Sequence, residues 1–239
     1  MDGLHEERGT PKTPQGNITV TQRSTEQRPN VIVIDDDDDI REELGSLLGS
    51  VGFQFQLFGS VADFLKTELP DRPTCVVSDV RMPGQSGLEL QRALSDGAKR
   101  QVPIVFITAH GDIPMCVRAM KGGAIEFLTK PFRDQDLLDA IAIGHARDQA
   151  WLTNERELAD LLRCYDSLTP REREVMNLVV SGRLNKQIAA ELAIAEITVK
   201  VHRGQVMRKM HAPSLPALAR MSDKLQLSIS DLTLRGHAS

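Results

Sequence analysis

Cys75-Val76-Val77-Ser78-Asp79-Val80-Arg81-Met82-Pro83-Gly84 is the stretch whose reading decides the fold. A short apolar run, β-branched at its centre, ends in a carboxylate, and a Pro-Gly turn follows within a few residues. Such a run is a strand covered on both faces, and α/β sheets place their chemistry at the C-terminal ends of such strands. The stretch therefore predicts a buried parallel strand that delivers Asp79 to a sheet edge. The worth of that carboxylate depends on what else arrives at the same edge.

Working outward, Val31-Ile32-Val33-Ile34 is a second continuous β-branched run, and it leads into five aspartates, Asp35 to Asp39. Apolar residues then recur at helical spacing at Ile40, Leu44, Leu47 and Leu48. Residues 53–58 alternate as a strand, and Ser60 caps a helix expected to run to about residue 69. After the Asp79 strand come a loop to Gly87 and a helix through residue 94. Residues 102–107 form a strand ending at Thr108. Asp112 caps a helix that Gly122-Gly123 stops. Residues 125–128 form a fifth strand ending at Thr129-Lys130-Pro131. Five strands alternating with helices predict a doubly wound, five-stranded parallel sheet of the flavodoxin-like kind.

From residue 134 a helical pattern runs past Trp151 to about residue 165, with no Gly or Pro after Gly144. Thr169-Pro170-Arg171-Glu172 starts the next helix, with Thr169 as cap, Pro170 at the first position and Glu172 closing the box. Three more follow: one capped by Asn185, one from Glu196 to about residue 210, one from Ser214 to about residue 224. The expected organisation is a disordered tail over 1–29, an α/β domain over 30–150 and a helical linker over 151–166. A small all-α domain over 167–228 and a C-terminal tail over 229–239 complete it.

Composition agrees with a globular chain: of 239 residues, 41% are hydrophobic and 26% charged. No apolar stretch reaches the roughly 20 residues of a membrane span, and no signal-peptide core opens the chain, so a cytoplasmic protein with no membrane partner is expected. Cys75, Cys116 and Cys164 match no metal spacing and read as reduced structural residues. Residues 167–224 hold ten basic and five acidic side chains, a balance of +5 in a chain of −4, which leaves −9 for the rest. Only the basic part is suited to a polyanion.

Four strand ends thus bring Asp35 and Asp36, Asp79, Thr108 and Lys130 to one edge. Crowded carboxylates repel by up to about 4 kcal/mol per pair at 4 Å and an effective dielectric of 20. A divalent cation relieves this, and all-oxygen ligands select Mg²⁺. Asp79 can then attack a phosphoryl group, with Lys130 balancing charge and Thr108 donating a hydrogen bond to it. Singly, each residue has a bland reading; a run of aspartates is usually a solvated turn, which is kept for Asp37, Asp38 and Asp39.

These residues resemble the receiver domain of two-component response regulators: Ile34-Asp35-Asp36, Ser78-Asp79-Val80-Arg81-Met82-Pro83-Gly84, Ile107-Thr108-Ala109 and Leu128-Thr129-Lys130-Pro131-Phe132 stand in that family's order and spacing. The resemblance implies that Asp79 is the phosphoacceptor for a cognate sensor histidine kinase. It implies that Asp35, Asp36, Asp79 and the main-chain carbonyl of Arg81 hold Mg²⁺, that Thr108 and Phe127 are a switch pair, and that Lys130 precedes a cis Pro131.

In the basic part, two helices joined by a tight turn have helix-turn-helix proportions. The second carries Lys200, His202, Arg203, Arg208 and Lys209 near Thr198 and Gln205, with Ile197, Val201 and Met207 between them, a density suited to phosphate and base contacts. Leu168-Thr169-Pro170-Arg171-Glu172, Asn185-Lys186-Gln187-Ile188-Ala189 and Ile197-Thr198-Val199-Lys200-Val201-His202-Arg203 resemble the LuxR-type DNA-binding domain. The whole is similar to the FixJ/NarL-type regulators of transcription. That resemblance implies promoter DNA and RNA polymerase as partners, a homodimer on phosphorylation, base contacts from Lys200 and Val201, and backbone contacts from Thr198, His202 and Arg203. Two departures are Ala195 where a capping Ser is common, and Gly204 inside the recognition helix. The alternative function is a haloacid-dehalogenase-like phosphatase using Asp35-x-Asp37; it calls for Thr or Val where Asp39 stands. A weaker variant keeps the receiver and has the helical part bind RNA or protein.

Overall fold

The computed structural model describes residues 28–95 and 100–236, and beyond residue 226 only the backbone. The tail expected over 1–29 lies outside the described residues except for its last two. Among the described residues the order is β1 (Asn30–Ile34), α1 (Asp38–Ser50), β2 (Gln54–Phe58), α2 (Val61–Phe64), β3 (Thr74–Asp79), α3 (Gly87–Ser95), β4 (Ile104–Thr108), α4 (Ile113–Lys121), β5 (Glu126–Thr129) and α5 (Asp134–Asp166). There follow α6 (Pro170–Val180), α7 (Asn185–Glu191), α8 (Glu196–Lys209) and α9 (Leu215–Gly236).

The strands pair in parallel in the order β2-β1-β3-β4-β5. The β-branched runs fill the middle of the sheet: β1 and β4 are buried throughout, and β3 until Asp79 at its end. On one face Ile32, Val76, Ile104 and Phe106 pack with Leu90 and Ala119; on the other Val31, Val77, Val105 and Ile107 pack with Leu48, Leu137 and Ile141. This two-sided burial is what a parallel sheet requires. The chain order reverses between β1 and β3, and ligands bind beyond the strand ends at such a switch point.

Several expectations need correction. The helix expected from Ser60 to about residue 69 is only four residues long. Ser60 does cap it, accepting from the Asp63 N–H at 3.1 Å, but the Thr67 hydroxyl bonds back to the Phe64 carbonyl at 2.7 Å and the chain turns toward Pro70. The helical pattern expected from residue 134 to about residue 165 is, by contrast, present as one unbroken 33-residue helix, α5, and within the segment 151–166 Leu161, Leu162, Cys164 and Tyr165 pack onto the C-terminal core. That core is built from Val175, Met176, Ile188, Val199, Val206 and Leu218. The last helix continues to Gly236, past the expected end near 224, because Leu and Ile keep recurring with no Gly or Pro between Lys224 and Gly236. Asn185 does not cap α7: Leu184 holds that position, its N–H bonded to the Gln187 side chain at 2.8 Å, while the Asn185 amide oxygen accepts from Arg203.

At the opposite end of the sheet, α5 is fastened by a buried ion pair. Asp148 is 1% exposed; it accepts from the Arg100 Nε at 3.0 Å and from the Thr74 N–H at 2.8 Å. Arg100 also donates to the Pro70 and Arg72 carbonyls, both at 2.7 Å, and lies over the Trp151 ring. Every charge in this knot is matched, which is the condition under which such burial is tolerated. The three cysteines are free.

Candidate functional site

The sheet edge collects the expected residues. Asp35 follows the last residue of β1 and is fully buried, Asp36 is exposed, and Asp79 ends β3 half-buried. Their carboxylates each offer an oxygen, and those three oxygens lie within 4.8 Å of one another. A hard oxygen-only donor set of net charge −3 fits Mg²⁺ better than any softer ion. Asp35 is held by the Lys130 Nζ at 2.7 Å and by the Asp37 N–H at 3.0 Å. The same ammonium stands 3.9 Å from Asp79 Oδ2, so one cation serves both carboxylates.

Burial pushes the Asp79 carboxyl above the usual range, the Arg81 N–H at 3.2 Å and the Lys130 ammonium oppose it, and the Asp35 charge adds to the rise. Arg81 reaches the site here through its main chain, with its side chain exposed. Asp37, Asp38 and Asp39 are exposed, and Asp37 is also the cap of α1, accepting from the Asp39 N–H at 2.9 Å. A capping role leaves Asp37 little to offer as the acid of a phosphatase pair.

Thr108 is 1% exposed at the end of β4, with its Oγ1 accepting from the His110 N–H at 3.3 Å. Phe127 is partly buried, its ring centroid 6.4 Å from that of Phe106. Two glycines let the backbone close around the site. A Cβ on Gly111 would stand 2.9 Å from the Phe127 ring and 3.2 Å from the Thr108 methyl, so the β4–α4 loop can lie against both only without a side chain there. A Cβ on Gly87 would fall 2.4 Å from the Asp79 carbonyl oxygen. Gly87 opens α3, whereas Gly111 stands in the loop just before Asp112, the cap of α4. The Lys130–Pro131 bond is cis.

In the C-terminal part, α7 and α8 are joined by a turn through Ala193, whose φ is 52°. The capping box on α6 is formed on both sides, Glu172 N–H to Thr169 Oγ1 at 3.3 Å and Thr169 N–H to Glu172 at 2.8 Å. Ala195 leaves α8 without a side-chain cap. On α8, Lys200, Val201 and Arg208 are exposed, while Thr198, His202 and Arg203 are half-buried. Arg203 donates to Asn185 and so ties the two helices together, Arg208 donates to Gln205, and Lys200 stands 3.7 Å from Glu196. Lys209, expected among the DNA contacts, also has partners inside the protein. Its ammonium is engaged within the fold, 2.6 Å from Glu172 and 3.0 Å from the Ser167 carbonyl, which ties the end of α8 to the start of α6.

Residues 31–142 match the response regulator receiver domain, and residues 166–222 match the luxR family of bacterial regulatory proteins. Nodulation protein W of Bradyrhizobium diazoefficiens is 51% identical over 83% of this chain and 87% of its own length. This chain belongs to the two-component response regulators of the FixJ/NarL type. The response regulator TodT of Pseudomonas putida is 43% identical over 87% of this chain and 91% of its own, and the transcriptional regulatory protein FixJ of Rhizobium meliloti 41% over 80% and 94%. Among solved structures, the response regulator StyR aligns with a TM-score of 0.73 at 50% identity, over 82% of this chain and 99% of that one. The response regulator described here is thus a DNA-binding transcriptional regulator and not an enzyme. No helix among the described residues is long and apolar enough to cross a membrane.

Proposed function

We propose that Asp79 accepts a phosphoryl group from a sensor histidine kinase in the cytoplasm, and that this switches dimerisation and promoter binding. The supporting observation is the meeting of three carboxylates and the Lys130 ammonium at one strand edge. Asp35, Asp36, Asp79 and the Arg81 carbonyl would hold Mg²⁺, which when bound offsets charge on the transferring oxygens. An Asp79 carboxylate oxygen attacks phosphorus, the bond from phosphorus to the kinase imidazole nitrogen breaks, and its electron pair leaves with the imidazole. Lys130 then pairs with the added charge.

The product adds acceptor oxygens within reach of the Thr108 hydroxyl. Drawing Thr108 inward vacates space that Phe127 fills, and this repacks the face of α4, β5 and the start of α5. Ile113, Val117 and Met120 are exposed along α4 and would supply the apolar part of a dimer contact. Two helix-turn-helix units then meet half-sites about one helical turn apart, and RNA polymerase is the partner acted on at the promoter. A complete reversal of the two-state surface needs about 5.5 kcal/mol of preference from the phosphoryl group.

The test is labelling by acetyl phosphate with Mg²⁺. Asp79→Asn should abolish it, Asp36→Ala should remove it together with its Mg²⁺ dependence, and Asp38→Ala should change little. Undiminished labelling of Asp79→Asn sinks the assignment.

A further inference from the structure

Helix α8 is apolar on two sides. Val199, Val206 and Met210 face the core, but Ile197 and Val201 are 68% and 56% exposed. Residues four apart lie one above the other on a helix, so these two form a single outward strip. The strip continues through Gly204, where a Cβ would meet no atom within 4 Å, to the exposed Arg208. Lys200, 59% exposed, flanks it. Two β-branched side chains left in water on an otherwise polar face are an uncompensated loss in the free protein, and the cations around them specify an anionic partner with an apolar feature.

DNA offers one such feature in the major groove: the C5-methyl of thymine is the apolar group among the base edges there. We propose that Ile197 and Val201 read thymine methyls, and that Gly204 leaves the next base step without a side-chain contact. Ile197 thereby becomes a specificity residue beyond those the motif resemblance supplied. The strip's geometry supports this, since four residues span about 6 Å of helix, close to two base steps of 3.4 Å each. The inference rests on reading α8 as the recognition helix.

The experiment first selects sites from randomised duplexes with the full chain, Mg²⁺ and beryllium fluoride, then replaces single thymines by uracil, which removes only the methyl. Uracil at two positions per half-site, about two base pairs apart, should weaken binding about fourfold each, the worth of one buried methyl-sized group. Ile197→Ala should lose the penalty at one position and Val201→Ala at the other. Both side chains are exposed, and the wild-type uracil series stands whether or not the variants fold. A selected site that tolerates uracil everywhere, or penalties unchanged in both variants, overturns the methyl reading while leaving α8 as the recognition helix. Failure to select any sequence overturns both.

Discussion

His145 lies on α5 with its ring 5.2 Å from that of Phe53, and its Nε2 donates to the Asn30 carbonyl at 2.9 Å. Burial lowers its pKa from the ordinary 6.5, while the carbonyl and the Asp148 charge oppose that shift. A histidine whose pKa the fold lowers binds its proton less readily there than in the unfolded chain. As pH falls below about 6.5 the unfolded chain therefore binds more protons than the folded one does, and stability is lost. Urea unfolding on either side of that pH should give a smaller difference in His145→Gln than in the natural chain. Lys209 makes a second prediction. Its removal leaves the Glu172 carboxylate with only the capping contact, so Lys209→Ala should cost about 1–2 kcal/mol of unfolding free energy. The slope of DNA affinity against salt should stay the same, because a lysine held at 2.6 Å by a carboxylate is not a free phosphate contact. The Glu172 carboxyl is itself held below its usual range, first by Lys209. Its contribution is present above the unfolded carboxylate range and fades as pH falls through the lowered folded value.

Among the elements, α8 carries an internal flaw that can be repaired. Gly204 costs about 1 kcal/mol of helix propensity relative to Ala, and no neighbour obstructs a methyl there. Gly204→Ala should raise stability by about that amount, measured by thermal unfolding of the free protein. The elements also mark how far the sequence could be read. Strands β1, β3 and β4 were legible because a parallel strand buried on both faces is a continuous β-branched run, and the acidic edge followed from where those runs end. The length of α2 was not, because a threonine hydroxyl returning to a carbonyl leaves no mark on periodicity. Nor was the destination of Lys209 or of Asn185: a charge or amide count on one helix is silent about a carboxylate or guanidinium on another. Arg100 and Asp148 stood 48 residues apart in unremarkable positions, and only the folding of α5 across β3 brings them together.

At the scale of the molecule, α5 is, among the described residues, the one element shared by both cores. Its first half is buried at Leu137, Ala140 and Ile141 against the sheet, and its end contributes Leu161 and Tyr165 to the helical cluster. Arg156 reaches Asp71 at 3.2 Å, and Lys224 of α9 reaches Glu157 at 3.1 Å, so its middle is tethered from both sides. With 33 residues it is about 50 Å long. A shaft of this kind has an angular phase. Each residue inserted between Ala159 and Asp160 would turn everything beyond it by about 100° and advance it 1.5 Å, whereas a flexible tether would absorb the addition. Two inserted alanines should put the second domain nearly on the wrong side and sharply weaken DNA binding by the beryllium-fluoride-treated protein. Seven should restore it in large part, because seven residues return a helix to within about 20° of its starting direction. Affinity measured across the series should therefore oscillate with the helical repeat, and a smooth decline would mean that α5 does not hold the facing of the DNA-binding unit. In this protein the register of a helix, rather than the reach of a linker, sets how its two ends are timed to each other in space.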